Sequence, residues 1–177
     1  MPEDGPETAA GRGCALAFRS LDHVGFTVSS LDRAVEFYSL LLGEPPTLRQ
    51  RFDVPYVGEV IGYEGVEIEA AFWNLPGGRV LELIEYLVPA GQRVDMETYN
   101  VGNAHLCLTT DDIHGDVERL RGVALLRSEQ AVEIPWGPFR GGFALYLRDP
   151  DGISIELLQH PHGGVNLEQA AGDDAAT

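Results

Sequence analysis

The sequence predicts an α+β fold of two tandem βαβββ modules that share one curved mixed sheet, with helices on its outer face and a cleft within. Two internal echoes carry the prediction. Shifted by 82 positions, His23-Val-Gly-Phe-Thr-Val-Ser-Ser-Leu-Asp-Arg-Ala-Val-Glu36 falls on His105-Leu-Cys-Leu-Thr-Thr-Asp-Asp-Ile-His-Gly-Asp-Val-Glu118, and His, Thr, Leu/Ile, Val and Glu coincide in type. Shifted by 74, Pro76-Gly-Gly-Arg-Val-Leu-Glu-Leu83 falls on Pro150-Asp-Gly-Ile-Ser-Ile-Glu-Leu157. A repeat of this length marks a duplicated supersecondary unit.

The predicted domain spans residues 18–162, with module 1 at about 18–90 and module 2 at about 100–162; residues 1–17 and 163–177 are poor in large apolar groups and are expected to be mobile ends. Residues 17–28 read as a strand, and Ser29 or Ser30 supplies a helix cap. The helix Leu31 to Leu42 follows, because Leu31, Ala34, Val35, Tyr38, Leu41 and Leu42 keep one face and Gly43 with Pro45 stops it. Extended segments are predicted at 54–62, 65–75 and 79–88. In the second half Asp112 caps a helix striped by Ile113, Val117 and Leu120 and ended at Gly122, before extended segments at 123–135, 142–148 and 152–159. The turns at 74–78 and 148–152 set the register of the last strand of each module, which places Glu82 and Glu156 at equivalent points.

The chain of 177 residues carries 28 acidic and 12 basic side chains, a formal charge of -16, and every basic residue is arginine. Phosphate backbones are bound by clustered cations, so nucleic acid is excluded as a partner. Without lysine there is no Schiff-base chemistry and no Walker motif. No stretch is long and apolar enough to cross a bilayer, and the start Met1-Pro-Glu-Asp-Gly5 lacks the basic and apolar regions of a secretory signal, so a cytoplasmic protein off the membrane is expected. Two cysteines build no disulfide framework: Cys14 falls in the leader, and Cys107, within an apolar strand pattern, is expected to be a buried free thiol.

A glutamate in the middle of an apolar strand either faces solvent through the alternation or meets a partner in the interior. A single histidine in a strand is ordinarily a packed, hydrogen-bonded residue. Recurrence of both in matching frames favours ligation. Two carboxylates and two imidazoles gathered in one cleft would cost roughly several kcal/mol in desolvation and repulsion, which a divalent cation removes. Two nitrogens and two oxygens suit one divalent ion of zinc, nickel, cobalt, manganese or iron. His23, Glu82, His105 and Glu156 are the candidate metal ligands.

The segments around His23, Glu82 and His105, with the ending Leu147-Arg-Asp-Pro-Asp-Gly-Ile-Ser-Ile-Glu-Leu157, resemble the vicinal oxygen chelate superfamily of glyoxalase I, methylmalonyl-CoA epimerase, extradiol dioxygenases and antibiotic-resistance proteins. The resemblance covers about 20 to 160. It implies a metal-containing cleft held by His23, Glu82, His105 and Glu156, a small-molecule substrate, and a homodimer in which modules pair across subunits. It further implies an isomerase, epimerase or lyase that stabilises an enolate at a carbon next to a carbonyl, with Glu156 or Glu82 as the catalytic base and Glu67 as a further candidate acid. Tyr56, Tyr63, Trp136 and Arg140 are candidates for the cleft mouth, and Tyr146, His160 and His162 for acid-base help. The alternatives are an extradiol, catechol-cleaving iron dioxygenase and an antibiotic-modifying or antibiotic-binding protein. A carboxylate at position 82 favours the isomerase.

Overall fold

The computed structural model describes residues 18–162 and Gly164; the two expected mobile ends, and Cys14 with them, lie outside the described residues. The first module runs β1 (His23–Thr27), α1 (Leu31–Leu42), β2 (Leu48–Phe52), α2 (Pro55–Ile61), β3 (Glu67–Leu75) and β4 (Arg79–Val88). The second runs β5 (His105–Thr109), α3 (Ile113–Leu120), β6 (Leu125–Leu126), β7 (Val132–Glu133), β8 (Phe143–Arg148) and β9 (Ser154–Gln159).

Both expected long helices form where the caps place them. Ser30 is the N-cap of α1, and its hydroxyl accepts from the Arg33 N–H; Leu31, Ala34, Phe37 and Tyr38 are buried, and Gly43 ends the helix at φ 77°. A left-handed residue after the last turn is where glycine costs least. Asp112 caps α3 by accepting from the Gly115 N–H, and Ile113, Val117 and Leu120 face inward.

Three expectations need correction. Residues 54–62, predicted as extended, instead form the helix α2 over Pro55–Ile61. Pro55 in its first turn and Gly62 just past its end, at φ 86°, outweigh β propensity, and Val57 buries against Val66 and Ile68. The strand preceding β3 in space is instead β2, whose Arg49 and Arg51 lie opposite Ala71 and Glu69. Its arginines pair with Glu69 at 2.8 Å and Glu67 at 2.5 Å, so a charged segment serves as an edge strand. The single sheet is also corrected: the described strands form two sheets, ordered β1-β4-β3-β2 and β5-β9-β8-β6, with β7 also on β8.

The modules meet through side chains rather than through a shared strand ladder. One core joins Leu31, Phe37 and Tyr38 of α1, Trp73, Leu81 and Leu83 of the first sheet, Ile113 and Val117 of α3, and Leu145, Leu147 and Ile155 of the second. Between the modules, residues 89–104 carry no strand, and the buried Arg148 guanidinium donates to the carbonyls of Met96 and Gly152. Successive side chains on a strand point to opposite faces. Since Leu81 and Leu83 face the helices, Glu82 projects from the other face of its sheet; Ile155 and Leu157 place Glu156 in the same way.

Candidate metal centre

Parallel pairing brings each histidine to its glutamate. On β1 and β4, His23 lies opposite Val80 and Gly25 opposite Glu82; on β5 and β9, His105 lies opposite Ser154 and Cys107 opposite Glu156. Each His and Glu are therefore diagonal neighbours on one sheet face. His23 Nε2 is 3.3 Å from Glu82 Oε2, and His105 Nε2 is 3.2 Å from Glu156 Oε2. The side chains are half-exposed at the histidines, 48% and 41%, and mostly covered at the glutamates, 16% and 19%, so each pair opens to the surface on its histidine side.

Within the described residues the two pairs stay apart: no three His, Cys, Asp or Glu side chains gather closely enough to share one ion. The donor set of each pair nonetheless fits half of a divalent-metal site. A neutral imidazole nitrogen and a carboxylate oxygen aimed at one point are the ligand types that zinc and its neighbours take. In the first pair Asp22, unremarked in the sequence though adjacent to His23, accepts from His23 Nδ1–H at 2.9 Å. That bond fixes the proton on Nδ1 and leaves Nε2 to a metal. The same hydrogen bond raises the His23 pKa, against a lowering from burial and with a further push from Glu82.

The surroundings of the two glutamates differ. Tyr146, on β8 opposite Glu156, donates its hydroxyl to Glu156 Oε2 at 3.0 Å, and its ring lies 5.3 Å from that of His105. Partial burial and then the carboxylate push the Tyr146 phenol up to about 12 and the Cys107 thiol up to about 11. Both stay protonated at neutral pH. Cys107, expected to be buried, is exposed, because it shares the open sheet face with Glu156 rather than the helix-covered one.

Glu67 stands apart from these pairs. Its carboxylate is ion-paired with Arg51, and with Asp53, Glu59 and Glu64 it lines a hollow of about 590 Å³ beside α2. Tyr63 lines the same hollow and is 56% exposed, much like Tyr56 at 58%; Trp136 is exposed at 73%. The ring of His160 lies against Phe139.

A family model described as the glyoxalase/bleomycin resistance protein/dioxygenase superfamily matches residues 20–157. The chain belongs to that superfamily, the vicinal oxygen chelate fold. It is 30% identical to a 2-epi-5-epi-valiolone epimerase of Actinomyces sp over 86% of this chain and 85% of the relative. It is 28% identical to the lactoylglutathione lyase GLX1 of Arabidopsis thaliana over 77% of this chain, and spans 43% of that longer enzyme. Among solved structures, a glyoxalase family protein from Bacillus cereus matches with a TM-score of 0.72 at 24% identity, over 84% of this chain and 98% of the other. This superfamily membership, with relatives named as epimerase and lyase, makes an isomerase- or lyase-like activity the coarse assignment. Among the described residues, no helix is long and apolar enough to cross a membrane.

Proposed function

We propose that the protein is a divalent-metal-dependent isomerase or epimerase acting on a small molecule at a carbon next to a carbonyl. The observation that carries this reading is the duplicated His–Glu pair, with Nε2 and Oε2 within 3.3 Å in one module and 3.2 Å in the other. His23, Glu82, His105 and Glu156 are the proposed ligands. A divalent ion held there supplies Lewis acidity, which lowers the cost of negative charge on a substrate oxygen.

The protein's own groups do the rest. Asp22 orients His23, and the helix-covered sheet faces hold the two glutamates in place from behind. A glutamate freed to face the substrate carbon takes its proton and delivers it to the neighbouring carbon in an isomerisation; in an epimerisation one carboxylate takes the proton from one face and a second acid, for which the other glutamate is the candidate, protonates the opposite face. The epimerase relative, aligned over 86% of this chain, favours substrates with a stereocentre beside a ketone as the first to try.

Two ligands per module, separate within one chain, favour a homodimer in which His23 and Glu82 of one protomer face His105 and Glu156 of its partner. Isologous pairing of two copies then completes two equivalent four-ligand sites.

Metal analysis of protein purified without added metal tests the reading, together with solvent deuterium incorporation into keto sugars, acyl-CoAs and hemithioacetals. The expected result is about one divalent ion per chain and exchange at a carbon beside a carbonyl. His23→Ala and Glu156→Gln each lower the metal content. Full metal stoichiometry in both variants would remove the assignment.

A further inference from the structure

The segment between the modules closes over one end of the open sheet face of the second. Arg148 of β8, Ser154 of β9 and His105 of β5 stand in one row across the three strands, next to the row of Tyr146, Glu156 and Cys107. Leu125 of β6 lies opposite Arg148, and Arg127, two residues further on, donates its N–H to the Tyr146 carbonyl and so falls on the same face. Two arginines therefore share the face of the proposed ligands, Arg148 at about 10 Å, two strand spacings, from His105.

Neither guanidinium is free. Glu97 accepts from Arg127 at 3.2 Å and from Arg148 at 3.3 Å, and with Leu125 these residues line a hollow of about 400 Å³. Arg148, 5% exposed, also donates to the carbonyls of Met96 and Gly152 and to the Thr98 hydroxyl at 3.2 Å. The Thr98 hydroxyl in turn meets that of Ser154 at 3.4 Å, which holds the segment over the row. The open face of the first module offers no replacement. Arg49 and Arg51 of β2 lie on its helix-covered side, where Arg49 reaches Asp32 of α1, and the residue between them on the open side is Gln50. Among the described residues, the arginines that meet no carboxylate are Arg79, which donates to Gly77 of its own turn, and Arg19 and Arg140, which lie outside the strands.

We propose that Glu97 is a specificity-determining residue: as a built-in counter-ion it occupies the arginine pair beside the metal centre and restricts the substrate to an uncharged, hydroxylated ketone. This inference rests on the metal-site reading above and deepens it by naming the substrate class. A phosphate, sulfonate or carboxylate is held where a guanidinium is available to it. Here such a group meets the Glu97 carboxylate first and binds only by leaving that carboxylate without its partners. A hydroxyl meets no such opposition, since it both donates and accepts, and Thr27, Gln50 and Thr109 supply neutral partners on the open faces. Acyl-CoAs and glutathione hemithioacetals, with their phosphates or carboxylates, fall behind neutral keto sugars and keto-cyclitols.

The test uses the full chain loaded with Co²⁺ and two vicinal-oxygen chelators that differ by one charge, catechol and its ring-sulfonated derivative. Each is titrated against the visible spectrum of the bound ion and referred to its affinity for free Co²⁺, at high salt so that the overall charge of -16 is screened. The unmutated protein is expected to favour catechol by at least about tenfold, and Glu97→Gln to remove about tenfold of that preference by freeing the arginines, with catechol affinity unchanged. Adding Arg127→Gln to Glu97→Gln should bring the preference back. Equal affinities for the two chelators in the unmutated protein, a comparison that needs no variant to fold, would overturn the inference while leaving the metal site standing. So would an unaltered preference in a Glu97→Gln chain that keeps its Co²⁺ and its catechol affinity. No Co²⁺ binding by the unmutated protein, or a bound ion that neither chelator reaches, would overturn the reading of the site as a Lewis-acid centre and this inference with it.

Discussion

Asp151 accepts two hydrogen bonds from Ser29, one from the backbone N–H at 2.7 Å and one from the hydroxyl at 2.6 Å, and so ties the turn before β9 to the residue before the cap of α1. Arg33 at 2.6 Å and Arg93 at 3.0 Å add charge to a carboxylate that is 10% exposed. Beside it, Asp149 accepts from the buried Tyr38 hydroxyl and caps its own turn through the Asp151 and Ile153 N–H groups. These contacts join the two modules where no strand ladder does.

Replacement of Asp151 by Ala should therefore destabilise the fold by about 2 kcal/mol. The charge-assisted bond from the exposed Ser29 N–H to the mostly covered Asp151 carboxylate dominates that figure, since hydrogen bonds to charged groups contribute about 1.5–3 kcal/mol. The arginines add little because they are 44% and 64% exposed, and exposed pairs are worth about 0–1 kcal/mol. Urea unfolding monitored by tryptophan fluorescence measures the change, and a loss below about 0.5 kcal/mol would mean that the latch is not a stabilising contact.

The same carboxylate gives the stability a pH signature. Burial acts to raise the Asp151 pKa, but the Ser29 hydrogen bonds and the charges of Arg33 and Arg93 outweigh it, and the group titrates below its ordinary value. A carboxyl with a lower pKa folded than unfolded stabilises fully above the unfolded value of about 3.9 and loses that contribution as pH falls through the folded value. Asp149, raised chiefly by burial and in part by the Asp151 charge, acts in the opposite sense; the burial part is common to both proteins, and the part due to Asp151 is lost with it. The stability gap between the unmutated chain and Asp151→Ala should be constant from about pH 7 to 5 and should shrink below about pH 4. A gap that grows toward acid would contradict this account.

Local signals made much of this legible. Ser30, Asp112 and the apolar stripes behind them set α1 and α3 before any tertiary contact is considered. The turns at 74–78 and 148–152 put Glu82 and Glu156 in matching register, and the parallel ladders then deliver His23 and His105 beside them. What escaped was tertiary in origin. The charged segment of β2 becomes a strand because Glu67 and Glu69 await its arginines across the sheet. Pro55 and Gly62 marked α2, but the β-branched residues between them carry a competing local preference. The modules also meet through contacts such as Asp151 with Ser29 and Asp149 with Tyr38, more than a hundred residues apart, which no periodicity encodes.

Gly25→Ala probes the packing around Glu82 directly. A Cβ built on Gly25 would lie 3.2 Å from Glu82 Oε2, tight enough to push the carboxylate by a few tenths of an ångström. The backbone there is ordinary extended strand, so alanine brings no strain and can stabilise through the unfolded state by about 0.4–1 kcal/mol. The expected outcome is an unfolding midpoint that holds or rises, with metal affinity reduced by about tenfold in titration. Unaltered affinity would place Glu82 outside the metal's reach.

Mixing two defective variants decides which protomers supply the ligands. His23→Ala and His105→Ala each remove one imidazole from every four-ligand site, and each alone should bind metal poorly. If the site lies between protomers, a mixed dimer has one site lacking both histidines and one site lacking neither, because the intact His23 of one chain faces the intact His105 of the other. After unfolding and joint refolding of equal amounts, half of the dimers are mixed, and metal binding should return to about a quarter of the unmutated level. If instead one chain folded its own four ligands together, every site in the mixture would remain one histidine short. Metal content that does not rise on mixing, in dimers shown to have exchanged subunits, would rule out the shared site; recovery to about a quarter would require it.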